Sequence, residues 1–325
     1  MNNVTVYIIR HRFTYATIFA IFLTLPAPTL AFGAEPPSGD SVIRGKFGDS
    51  DIVITTTNRL AGAIHSLTWD GQEFIDSADH GRQLQSACSF DCGKPGKFWA
   101  EAYNPTEAGS RRDGDGATSS SKLLELKAGK NELSTRTQMA FWLAPGEKSD
   151  AFPALNDNAL SAYTLAKRVT IGYQKFPNVL EYCVTFAGPK NEAHTYAQYE
   201  ALTGYMPPEF SRFHTWNPKD GRLVKLSDGP GEQALPVVVS KPDGKHAMAV
   251  WSPAQPAKGY EAAGYGRFRF AEEKVVKWNC VFRFKDAGGV KLTEKTFRIF
   301  VVVGTLDDMP KTLAGLVQAV ADEQR

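Results

Sequence analysis

The chain has 325 residues, and its 37 Lys plus Arg against 35 Asp plus Glu leave a formal charge of +2. That balance excludes the concentrated basic stripe of a nucleic-acid binder, although a local pocket inside a balanced chain can still be basic. Cys88-x-x-x-Cys92 stands without further Cys or His ligands at short spacing, which excludes a zinc site there.

In chain order, Arg10 and Arg12 precede an apolar run from Tyr15 to Leu25, followed by Pro26, Pro28 and small residues around Ala31, Gly33 and Ala34. This is the layout of a secretory signal. Residues 1–34 are expected to be a cleavable signal peptide, cut after Ala31 or after Gly33, and residues 35–325 to form one domain in the periplasm or outside the cell. An uncleaved N-terminal anchor is the alternative. The run falls short of the ~20 residues a spanning helix needs, so no membrane association is expected after cleavage.

From Asp51 onward apolar and polar residues alternate with the period of half-buried antiparallel strands. The clearest case sets Val276, Trp278, Cys280, Phe282 and Phe284 on one face and Lys277, Asn279, Arg283 and Lys285 on the other. Similar runs cover 51–57, 63–69, 122–126, 133–143, 168–173, 179–186, 235–240, 246–251, 266–270 and 297–303. Asp70-Gly71, Pro242-Asp243-Gly244 and Gly288-Gly289 supply turn chemistry between them. One helix is predicted at the C-terminus, capped by Asp308, with Pro310 in its first turn and Leu313, Leu316, Val317 and Val320 on one face; it is expected at a sheet edge or over one end of the fold. The pattern predicts an all-β protein, a large antiparallel β-sandwich with one C-terminal helix.

Two stretches, 76–121 and 188–231, break the alternation and read as long functional loops, with 110–121 as a mobile flap. Export would place the four cysteines in oxidising conditions. Cys88 with Cys92 and Cys183 with Cys280 are the expected pairs, the second opposed by strand parity, which puts Cys183 on a polar face and Cys280 on an apolar one.

The segment Gly62-Ala63-Ile64-His65-Ser66-Leu67-Thr68-Trp69-Asp70-Gly71-Gln72-Glu73 resembles the opening hairpin of the galactose-mutarotase-like supersandwich, used by aldose epimerases and by domains of glycoside hydrolases and polysaccharide lyases. Asp79-His80-Gly81-Arg82-Gln83-Leu84-Gln85 looks like the place where epimerases keep a Gly-Arg pair whose arginine reaches the sugar, which implies that role for Arg82. Residues 178–186 followed by Asn191-Glu192-Ala193-His194 loosely resemble the epimerases' strand and His-bearing loop. A Glu-Thr-Gln segment near the C-terminus, where epimerases keep their base, is absent. The resemblance implies a saccharide or polysaccharide ligand.

Sugar sites combine amides, carboxylates and arginines with an aromatic platform, and the two irregular stretches are rich in such groups. The candidate substrate-binding residues are His80, Arg82, Gln85, Tyr103, Asn104 and Tyr199; the candidate catalytic residues are Glu107, Glu200, Tyr205 and His214. Glycoside hydrolysis needs two carboxyls flanking the scissile bond, for which Glu200 and Glu107 are the pair. Elimination from a uronate needs a group that neutralises the carboxylate and a Tyr or His base, roles open to Arg82, Asn104, Tyr205 and His214. Glu200, set between tyrosines, is expected to be a general acid of raised pKa; the other reading pairs it with Arg82 or Arg212. Asn104 and Thr106 equally suit holding their own turn, while His65 reads as a packed strand residue and His246 as a solvated turn residue. Asp76 and Asp79 are a minor candidate for Ca²⁺. Phosphate-loop, dinucleotide and serine-hydrolase motifs are absent, and no cofactor is expected. The competing classes are a non-catalytic glycan-binding protein and a structural envelope protein.

Overall fold

The computed structural model describes residues 37–78, 83–94, 96–258, 260 and 262–325. The expected signal segment 1–34, together with Asp79, His80 and Arg82, lies outside the described residues.

Antiparallel pairing follows the alternation and joins the strands into two runs. The first passes through Ser41–Phe47, Ser50–Thr56, Ile64–Trp69, Leu84–Phe90, Tyr196–Met206, Val275–Lys285, Tyr265–Phe270 and Gly231–Gln233. The second passes through Lys122–Ala128, Glu132–Phe141, Leu160–Tyr173, Phe176–Ala187, Lys295–Gly304, Ala247–Trp251, Val237–Ser240, Arg212–Asn217 and Arg222–Lys225. Pro105–Thr106 bonds Ala87 of the first run and Ala140 of the second, tying the two sheets together. Their inner faces share one core, with Ile54, Leu67, Leu84 and Trp278 from the first sheet meeting Leu133, Leu165, Val184 and Ile299 from the second. The protein is thus an all-β antiparallel sandwich, as the alternation predicts.

Asp70 (φ 49°) and Gly71 (φ 72°) both take positive φ, the requirement of a two-residue hairpin turn whose twist suits its flanking strands. The helix, Met309–Glu323, starts after Asp308 with Pro310 in its first turn, and buries Met309, Leu313, Leu316 and Val320. It covers neither an edge nor an end: it lies on the outer face of the second sheet, against Val179, Val238, Ala247, Ala249, Phe300 and Val302. Cover on both faces explains why Val237-Val238-Val239 and Phe300-Val301-Val302-Val303 are uninterrupted apolar runs.

The stretches read as loops contain two strands of the first sheet, and the second stretch also holds Arg212–Asn217 and Arg222–Lys225 of the second sheet. Leu84–Phe90 is buried at every position, and Tyr196–Met206 at all but Tyr196, Glu200 and Tyr205, which are half-buried. A strand covered on both faces loses the polar half of its alternation. Nor is 110–121 a flap, because Asp113 Oδ2 accepts from the Ser110 and Ser120 backbone N–H groups, both at 2.9 Å, and from the Ser120 hydroxyl at 2.8 Å. The cysteines also depart from expectation: all four are free. Cys280 is in the core of the first sheet, whereas Cys183 is on the outer side of the second beside Arg168.

Candidate active site

The outer face of the first sheet carries the site, and a β-bulge composes it. Along Tyr196–Met206, Tyr199 turns inward and packs among Phe90, Phe186 and Phe297, so Glu200 turns outward. Strict alternation would then send Thr203 and Tyr205 inward. Instead the register slips between Glu200 and Leu202, with Ala201 and Leu202 both fully buried. After the slip Thr203 and Tyr205 share the outer face with Glu200. Lys277 joins them from the next strand, opposite Tyr205, and Gln85 and Ala87 from the strand on the other side.

These groups floor a cavity of about 240 Å³. Trp99, Ala100, Glu101 and Asn104 supply one wall and Trp142 another. Asn104 is fixed by its side-chain Nδ2, which donates to Cys88 O (2.8 Å) and Ser89 Oγ (3.1 Å), while its backbone carbonyl accepts from Trp142 N (2.8 Å). Gln85 Oε1 accepts from Ala108 N at 3.0 Å, which anchors the loop beyond Thr106 to the sheet.

The Thr203 hydroxyl donates to Glu200 Oε2 at 2.7 Å, and Lys277 Nζ stands 3.3 Å from the same oxygen. Lys277 also lies over the Tyr205 ring, 5.2 Å from its centroid. Burial pushes the Glu200 carboxyl up, but the Lys277 charge and the bonds from Thr203, Lys277 and Asn279 outweigh it, and the net direction is down. Glu200 is therefore a carboxylate at neutral pH, not the protonated general acid expected from its neighbouring tyrosines. Its cationic partner among the described residues is Lys277. Burial pushes the Tyr205 phenol up, against the opposing effect of Lys277, so Tyr205 holds its proton. One ionised carboxylate and one protonated phenol thus share the cavity.

The other candidates are placed elsewhere. Glu107 is fully buried, in contact with Lys167, and its Oε2 accepts from Ser86 N at 3.1 Å. A carboxylate without exposed surface cannot face Glu200 across a cleft, so the carboxylate that shares the cavity with Glu200 is Glu101. Tyr103 packs against Phe141 (4.6 Å) and His194 (5.7 Å) and does not line this cavity. Tyr199 is a core residue, 2% exposed. His214 sits in the second sheet opposite Val238 and Lys225, and burial, Lys225 and Arg212 lower its pKa. His246 is not a solvated turn residue, since its ring meets Trp69 and Phe74 edge-on at 5.7 and 6.2 Å. Of the sequence candidates, Gln85, Asn104, Glu200 and Tyr205 converge. Lys277, Thr203, Glu101, Trp99 and Trp142 complete the site. Lys277 is visible in the sequence on the polar face of an alternating strand; the bulge that lines up Thr203 and Tyr205 leaves no mark in the alternation. Among the described residues no group of three or more His, Cys, Asp or Glu is gathered to hold a metal ion.

No protein-family model matches the chain, and no curated protein matches it. Solved structures do. An alpha-mannosidase from Enterococcus faecalis V583 is 11% identical with a TM-score of 0.47, over 85% of this chain and 30% of that one. A galactose mutarotase-like protein from Lactobacillus casei ATCC 334 is 9% identical with a TM-score of 0.42, over 81% of this chain and 100% of that one. A GH36 alpha-galactosidase from Geobacillus stearothermophilus is 8% identical with a TM-score of 0.41, over 81% and 39%. The chain is similar in fold to galactose mutarotase-like proteins. It spans well under half the length of the mannosidase and the galactosidase.

Proposed function

We propose that this is an exported carbohydrate-active enzyme that moves a proton on a bound saccharide, with Glu200 as base and Tyr205 as acid. The observation that carries the reading is the convergence of Glu200, Tyr205 and Lys277 on one face of a cavity walled by Trp99 and Trp142. Indole faces suit the apolar side of a sugar ring. A carboxylate held ionised is in the protonation state that a base needs, and a phenol held neutral is in the state that an acid needs.

That division of roles favours elimination or epimerisation over hydrolysis, which begins with a protonated carboxyl at the leaving oxygen. In the elimination, Glu200 takes a proton from the carbon next to a uronate carboxyl, a C=C bond forms, and the C–O bond to the neighbouring sugar breaks. Tyr205 delivers its proton to the departing oxygen, and Glu200 then returns its proton to the tyrosinate. Lys277 offsets the negative charge that develops. The amino-terminal layout of residues 10–34 supports export.

The test is a screen of the mature protein against acidic and neutral polysaccharides, following both reducing ends and the absorbance of unsaturated products. New absorbance from an acidic polymer is the expected result. Reducing ends without that absorbance would identify a hydrolase and overturn the roles assigned to Glu200 and Tyr205. Binding with neither signal, and with no change of sugar configuration by nuclear magnetic resonance, would identify a non-catalytic glycan-binding protein.

A further inference from the structure

A second cavity, of about 620 Å³, adjoins the Glu200 cavity, and Trp99 lines both. Its walls are aromatic. Trp99 stacks on Phe152 with centroids 4.9 Å apart and planes 5° apart. Tyr196 meets Phe98 at 4.5 Å and Tyr260 at 5.8 Å. Such rings form a platform for sugar faces, without the hydrogen-bonded depth of the Glu200 cavity.

The charge around this platform is one-sided. Lys94, Lys97 and Lys285 line it, all three exposed, and Asp91 is the one carboxylate among its described lining residues. Asp91 is already engaged: Oδ1 accepts from Gly93 N (3.2 Å) and Thr195 N (3.0 Å), and Oδ2 accepts from the Thr195 hydroxyl. These bonds satisfy the carboxylate inside the protein and leave three ammonium groups facing the groove. In a chain whose total charge is +2, this is a local concentration of cations beside rings.

We propose that this groove binds an acidic saccharide, its uronate or sulfate groups at Lys94, Lys97 and Lys285 and its sugar faces on the rings, and leads it past Trp99 to Glu200. The inference rests on the reading above, whose elimination substrate is a uronate, and adds the groove that holds the charged groups of the ligand away from Glu200.

Calorimetric titration of the mature protein tests it with four probes: an oligogalacturonate, its methyl ester, a heparin-derived oligosaccharide and the desulfated form of the same oligosaccharide. Either acidic probe is expected to bind more tightly than its neutralised or desulfated counterpart, and which one does so separates a uronate ligand from a sulfated one. Exposed ion pairs are individually weak, so replacing Lys94, Lys97 and Lys285 together by Ala should weaken that binding by about tenfold. Added salt should weaken it in the wild type and much less in the variant. Equal affinity within both pairs of probes, or unchanged affinity after the three substitutions, would overturn the assignment of the groove and leave the roles of Glu200 and Tyr205 standing. Failure of all four probes to bind the wild type would overturn both.

Discussion

Lys167 stands at an inward position of its strand, between Leu165 and Val169, where its ammonium meets Glu107 with neither side chain exposed. A buried pair of this kind adds little net stability, but removing one partner leaves a buried charge alone. Lys167→Met should therefore destabilise the fold by about 3–5 kcal/mol, and adding Glu107→Leu should restore much of the loss. Denaturant unfolding of the single and double variants checks this; a double variant less stable than Lys167→Met alone would contradict it. Glu200 differs because it is 17% exposed and faces a cavity. Its folded pKa is depressed, so the stability it contributes is present above the unfolded glutamate value, near 4.3, and is lost as pH falls through the lower folded value. As a base it should stay active down to that range, so the acid limb of kcat/KM should fall below the usual glutamate pKa. An acid limb near pH 6 would mean that Glu200 is not held ionised by Lys277. The placement of Glu107 was open to reading in the sequence through Lys167, whose parity matches Tyr163, Leu165, Val169 and Ile171.

The strands that carry the site show where alternation is informative. Val275–Lys285 keeps a polar face, and its inward and outward residues are as the pattern predicts. Leu84–Phe90 and Tyr196–Met206 were missed because loops and neighbouring side chains cover their outer faces, and Gln85, Ser89 and Thr203 there are as buried as core residues. The bulge at Ala201–Leu202 adds a second obstacle, since it shifts parity in mid-strand. Beyond it, Gly204 makes room for the core indole of Trp278: a Cβ at Gly204 would sit 2.4 Å from the Trp278 ring. Gly204→Ala should cost about 1–3 kcal/mol through overpacking. Thermal unfolding and the near-ultraviolet circular dichroism of the tryptophans check it. An unchanged melting temperature would show that Trp278 is not packed against this strand. Covered strands and a bulge, both set by tertiary packing, explain why the sandwich was legible and half of the site was not.

Across the whole molecule, two sheets enclose the core, the helix closes the outer face of one, and the outer face of the other is left for the cavity and groove. The cysteines belong to this packing and not to a covalent frame. Cys88 and Cys280 are buried, and burial pushes the Cys92 thiol up to about 12, which keeps it protonated and slow to react. Thiol titration of the unfolded, unreduced protein should therefore find all four cysteines free, and a disulfide in protein recovered from the periplasm or medium would contradict the arrangement. The central claim is that Glu200 transfers a proton on a saccharide, and Glu200→Gln tests it most directly because it keeps the shape and removes the titrating group. On a substrate identified by the polysaccharide screen, kcat of Glu200→Gln should fall by a factor on the order of 10² to 10⁴ while the affinity for that substrate survives. Wild-type turnover in Glu200→Gln would contradict the claim.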